Sequence, residues 1–200
     1  VSLSILVVCT GNVCRSPLAE QLLAARFADA GFDATVYSAG TAALVGEPMP
    51  VQAVALSTRY GGVPGNHVGV QLTQQLVDAA DLVLTASREH RAAVASMVPR
   101  AARRSYTLRE FARIVQFLEQ DPDGFVSLAE ASSPLEIIGA VSTNRGFATR
   151  PNLAINDDVV DPFGRSSEVY EESGRVIEAA VTAIVRAFTA VSRTGRGDAA

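Results

Sequence analysis

The two cysteines of the chain, Cys9 and Cys14, both fall in the segment VCTGNVCRSP, Val8 to Pro17, and Arg15 follows Cys9 by six positions. A sulfur nucleophile can attack an anionic centre only where donors hold the negative charge, and this segment supplies both parts. The planar guanidinium of Arg15 suits a bidentate clamp on a tetrahedral oxyanion. The backbone N–H groups of Thr10, Gly11, Asn12, Val13, Cys14 and Arg15 can converge as an anion nest in front of a helix N-terminus. The same donors favour the thiolate form of Cys9. Gly11 is expected where the backbone comes close or takes positive φ, and Asn12 is one of the few other residues that tolerate the left-handed region. A cysteine and an arginine at this spacing also arise by chance, and free cysteine is a frequent core residue. What favours chemistry here is the setting.

That setting is a strand, a turn and a helix. Leu3–Val8 is a nearly continuous aliphatic run, as a strand buried on both faces requires. Ser16 reads as an N-cap with Pro17 at the first helical position, and helical spacing continues to Gly31, a C-terminal stop. TVYSAG, DLVLTA and RRSYTL read as further strands. VQAVALSTRYGG, LTQQLVDAA from Thr73, SREHRAAVASMV and REFARIVQFLEQ read as the helices between them. The alternation predicts an α/β fold of three layers, with a four-stranded parallel sheet, helices on both faces and the Cys-x5-Arg loop after the first strand. Turn-rich sequence at about 119–156 (DPDG, SSP, TNRG, RPN) breaks the rhythm. It reads as a long surface excursion within a single domain of residues 1–200, with one short helix near 128–141. SSEVYEESGRVIEAAVTAIVRAF is the closing helix, and the tail from about 192 reads as disordered.

The chain has 200 residues, 48% hydrophobic and 19% charged, enough for one buried core. A net charge of −4 does not favour nucleic acid or an anionic membrane. No segment approaches the ~20 apolar residues of a membrane span. The start lacks a basic n-region, and with two cysteines the expected setting is a reducing cytoplasm. No Gly-x4-Gly-Lys-Ser/Thr and no Gly-x-Gly-x-x-Gly occurs in the first turn, so nucleotide loops of those kinds are not expected. No cofactor and no metal is expected, and oligomeric state is not readable.

The motif VCTGNVCRSPLAE resembles the phosphate-binding loop of the low-molecular-weight protein tyrosine phosphatases. The resemblance extends through YSAGT, GEPMP, NHVGVQLT, ADLVLTASREHR and DPFG. It implies a phosphomonoester hydrolase acting on a phosphorylated protein or a small aryl phosphate. Cys9 would be the nucleophile that forms a phosphocysteine, while Arg15 and the loop amides hold the phosphoryl oxygens. Ser16 would hydrogen-bond the sulfur and help it leave in the second step. Asp161 of DPFG would be the general acid and then the base. Asn12, Ser38 and His67 match residues that support the loop, and Leu44 and Phe163 would wall the substrate cleft. Asp161-Pro162 is also ordinary turn chemistry, and His90, set among charges in SREHRA, reads as solvated.

Three other functions compete. An arsenate reductase of this fold needs cysteines beyond Cys14 to relay oxidation, and none is present. Relatives acting on phosphoarginine carry Thr at the position of Val13, which points to phosphotyrosine. LTASREHR and DPFG, however, look like the branch that contains arginine phosphatases. A phosphate-binding module without turnover would not need an acid as well as a nucleophile. The spacing also lets Cys9 and Cys14 approach within the ~7 Å Cα limit for a disulfide. Cys14 is therefore either a redox partner for peroxide-oxidised Cys9 or a packing residue under the loop.

Overall fold

The computed structural model describes residues 2–120, 128, 131–148 and 154–194. Among these, four strands form one parallel sheet in the order β2-β1-β3-β4: β1 Leu3–Cys9, β2 Ala34–Gly40, β3 Leu82–Thr85 and β4 Ser105–Thr107. In register, Cys9 lies opposite Gly40 and Val8 opposite Thr85. The end of β1 is thus flanked by the ends of both neighbours, the position where parallel α/β sheets bind ligands.

Alternate residues of β1 feed two cores. Leu3, Ile5 and Val7 pack on one face with helices α1 (Arg15–Asp29), α5 (Leu108–Gln120) and α7 (Ser167–Thr194). Leu6 and Val8 pack on the other with α3 (Gln74–Ala79) and α4 (Arg88–Met97). Helix α2 (Val51–Arg59) adds Ala53 and Leu56 to the first core. Thr73 and Ser87 cap α3 and α4 by accepting the N–H of Leu76 and His90. Gly31, at φ 64°, ends α1: its N–H reaches Ala28 O and that of Phe32 reaches Phe27 O, while the two phenyl rings meet at 5.0 Å. This is a Schellman stop with its hydrophobic contact.

Two expectations need correction. The first concerns the surface excursion. Its described part contains helix α6 (Pro134–Asn144), whose Ile137 and Val141 are fully buried in the same core as β1. Arg145, just after α6, makes two bonds to Glu110 and lies 4.4 Å over the Tyr106 ring. Residues 121–127, 129–130 and 149–153 of that stretch lie outside the described residues. Second, the tail expected from 192 begins as the last turn of α7, and 195–200 lie outside the described residues.

Burial alone would raise the Glu110 carboxyl, but bonds and charge from Arg145 and Arg91 overcome it and hold Glu110 below the ordinary range. Its contribution to stability is therefore present above the unfolded value and lost as pH falls through the lower folded one. Arg145→Met should cost about 1–3 kcal/mol at pH 7, since Arg91 still pairs Glu110. Urea unfolding of both proteins should show the gap narrowing as pH drops below ~4.3. A gap independent of pH would remove the ion pair from the account.

Candidate active site

Cys9 closes β1 with its sulfur buried at the base of the loop. Ser16 was expected to cap α1, but the helix begins at Arg15 with Cys14 in the cap position and no side-chain cap. The Ser16 hydroxyl lies instead 3.0 Å from Cys9 Sγ. Its proton direction follows from a count of donors. Asn12 Nδ2 has two hydrogens and donates one to Ser16 Oγ (2.9 Å) and one to Ser38 Oγ (2.8 Å). Ser38 in turn donates to Glu20. Ser16 is thus left free to give its own hydrogen to the sulfur. The Asn12 N–H adds a second donor to Cys9 Sγ at 3.3 Å.

Asn12 is wholly buried at φ 55°. Its Oδ1 accepts the N–H of Val70 (2.8 Å), and its carbonyl accepts His67 Nε2–H (2.7 Å). His67 Nδ1 faces Glu20 at 3.9 Å. Burial raises the Glu20 carboxyl above its usual range, against the pull of Ser38 and His67. Glu20 was not anticipated, although it lies one helical turn after Ser16 on α1.

Arg15 is 5% exposed. Nη1 donates to Val159 O at 3.2 Å, and Nη2 donates to Thr10 Oγ1 at 3.2 Å and to Asp161 Oδ2 at 2.5 Å. Its buried Nε–H has no partner among the described residues. A buried donor left unmet is costly, and a ligand oxygen beside the loop would satisfy it. Asp161 comes from a loop held by further arginines: Asp157 pairs with Arg113, Asp158 with Arg88, and Val159 N–H bonds Ala86 O at the end of β3. Cys9, Thr10, Gly11, Val13, Cys14, Arg15, Ala42, Leu44, Asp161 and Phe163 line one pocket of about 150 Å³. Leu44 and Phe163, 38% and 53% exposed, stand at its mouth.

Two further expectations change. Gly11 does not have positive φ, and a Cβ there would meet only ordinary contacts from Leu44 and Val13. The close approach belongs to Gly40, where a Cβ would lie 2.3 Å from Thr10 O. His90 is buried rather than solvated, between Ser87 Oγ (2.7 Å from Nδ1) and Thr10 Oγ1 (2.8 Å from Nε2). Cys14 is a free thiol 3.7 Å from Tyr170 Oη, and burial pushes it up to about 11. Among the described residues no group of three or more His, Cys, Asp or Glu converges as a metal site would, and no helix is long and apolar enough to cross a membrane.

A loop of this build, at the end of the first strand of a parallel sheet, defines a phosphate-binding α/β enzyme class. The low molecular weight phosphotyrosine protein phosphatase family matches residues 4–123, and the chain belongs to that family. It is 29% identical over 177 residues to the protein-arginine-phosphatase of Bacillus subtilis, covering 88% of this chain and 90% of that protein. It is 40% identical over 96 residues to the low molecular weight protein-tyrosine-phosphatase Etp of Escherichia coli, 48% of this chain and 62% of that protein. A crystal structure of the low molecular weight protein tyrosine phosphatase from T. tengcongensis superposes with a TM-score of 0.66 at 26% identity, covering 92% of this chain and 99% of that one. Asp161 lies beyond the family match, so its assignment stands on its contact with Arg15.

Asn12→Ala should lower stability by about 2–4 kcal/mol, because it strains the left-handed backbone and strands the partners of the side chain. Asn12→Gly should lose about 1 kcal/mol less, since glycine takes this φ freely. Urea titrations of the two variants separate the terms, and equal losses would assign the whole effect to the side chain.

Proposed function

We propose that this chain hydrolyses phosphate monoesters of protein tyrosine through a phosphocysteine at Cys9. The observation that carries the reading is the pairing across one pocket of a doubly hydrogen-bonded sulfur with a buried arginine whose Nε–H is unmet among the described residues. Sulfur attacks phosphorus while the loop amides and Arg15 take the equatorial oxygens. The Arg15 Nη2 bond to Asp161 occupies part of the clamp in the free protein. An arriving phosphoryl group competes for Arg15, and the Asp161 carboxylate it releases takes up a proton, from solvent or from the phosphate monoanion, and passes it to the leaving oxygen. In the second step Asp161 takes a proton from the attacking water, and the P–S bond breaks. The Ser16 hydroxyl donates its hydrogen bond to the departing thiolate.

Cys9→Ser should abolish turnover and retain phosphate binding. Asp161→Asn should slow poor leaving groups by on the order of 10²–10⁴ and activated aryl phosphates less. Steady-state kinetics over a leaving-group series measures both. Equal loss across the series would make Asp161 a binding residue.

Phosphoarginine is the second reading, favoured by the long alignment with the protein-arginine-phosphatase of Bacillus subtilis. Val13 lines the pocket and brings no hydroxyl. Val13→Thr should shift the ratio of phosphoarginine to phosphotyrosine turnover upward in paired peptide assays, and an unmoved ratio would show that this position does not set the choice. A protective Cys9–Cys14 disulfide would require the Cys14 thiol to ionise, which burial opposes.

A further inference from the structure

Thr10 follows the nucleophile, is solvent-exposed, and lines the pocket together with Cys9 and Arg15. Its hydroxyl has one hydrogen and two lone pairs. Arg15 can only donate, so its Nη2 fills one lone pair at 3.2 Å. The second partner is His90 Nε2 at 2.8 Å, and which of the two donates depends on the tautomer of the ring.

Burial decides the tautomer. A neutral imidazole carries one N–H. Were it on Nδ1, it would point at Ser87 Oγ, which already accepts the backbone N–H of His90 at 3.3 Å as the cap of α4. The hydroxyl hydrogen of buried Ser87 would then lack an acceptor among the described residues. With the hydrogen on Nε2, Ser87 donates to Nδ1, and both the ring N–H and the Ser87 hydroxyl are met. Thr10 Oγ1 then accepts twice, from Arg15 and from His90. Among the described residues Thr10 Oγ1 has no third partner, so its own hydrogen is free for an acceptor in the pocket that Thr10 lines with Cys9 and Arg15.

We infer that the Thr10 hydroxyl is a fixed oxyanion donor beside Cys9, and that His90, held by Ser87, is the residue that aims it. This rests on the phosphate reading of the pocket. It adds a side-chain donor to the loop amides and gives the buried histidine a positioning role. Burial first, and the Arg15 charge second, lower His90 to about 4, so the ring stays neutral across the physiological range. A neutral ring is what leaves a single N–H to direct.

The test compares kcat and competitive inhibition by inorganic phosphate, with p-nitrophenyl phosphate as substrate, in the wild type, Thr10→Val, Thr10→Ser, His90→Phe, His90→Gln and the Val/Phe double variant. Thr10→Val should weaken phosphate inhibition about tenfold, as loss of one hydrogen bond to a charged group does. Thr10→Ser should remain within about twofold of wild type. His90→Phe should reproduce the Thr10→Val loss, and the double variant should be no worse than either single one. His90→Gln, which keeps an N–H near the Nε2 position, should recover most of the affinity. Thr10→Val changes an exposed side chain and folds whatever becomes of the His90 variants. Wild-type phosphate affinity in Thr10→Val, or losses that multiply in the double variant, would overturn the inference and leave the phosphatase reading intact. A wild-type protein that neither hydrolyses the ester nor binds phosphate would overturn the reading itself.

Discussion

The site depends on one buried residue in an unusual conformation. Asn12 sits at φ 55° with no exposed surface, and each of its polar groups is used. The backbone N–H goes to the Cys9 sulfur, the carbonyl to His67, Oδ1 to Val70, and Nδ2 to Ser16 and Ser38. A left-handed non-glycine residue costs of order 1–3 kcal/mol and persists only where its surroundings over-determine it. Here those surroundings are four separate pieces of chain: the end of β1 at Cys9, α1, β2 and the segment carrying His67 and Val70. The loop is therefore rigid before any ligand arrives, as stabilisation of developing charge by fixed donors requires.

The opposite wall is organised by charge. Asp157, Asp158 and Asp161 each meet an arginine from a different helix, Arg113 on α5, Arg88 on α4 and Arg15 on α1. Asp158 also accepts the backbone N–H of Arg88 at the start of α4, where the helix end favours an anion. These contacts carry a carboxylate 146 positions downstream of Arg15 into the pocket that Cys9 lines. In the proposed mechanism the Arg15–Asp161 bond is the contact of this series that an arriving phosphoryl group breaks, which would link its binding to release of Asp161.

Sequence reasoning reached the strand–loop–helix unit because its signals are local: an aliphatic run, Asn in a tight turn, and Pro17 near a helix start. It placed Ser16 as a cap because Ser-Pro usually is one; that the hydroxyl faces a sulfur across the turn was implied by the family resemblance and by no local signal. Gly11 took the role that belongs to Gly40, because a close approach between β2 and the loop exists only once the strands pair. His90 was hidden by Arg88, Glu89 and Arg91 around it. Its place three residues after the Ser87 cap was the available sign that it turns inward. The excursion looked superficial from its turn residues, whereas Ile137 and Val141 belong to the main core.

The central claim is that the sulfur held by Asn12 and Ser16 forms a covalent bond to phosphorus. Rapid quench of the enzyme with a phosphotyrosine peptide, followed by tryptic digestion and mass spectrometry, tests it directly. The tryptic peptide that ends at Arg15 contains both cysteines, and fragmentation distinguishes them. The account predicts a transient phosphoryl group on Cys9 that decays with the rate of phosphate release. Turnover without phosphate on Cys9, or with phosphate on another residue, would contradict it.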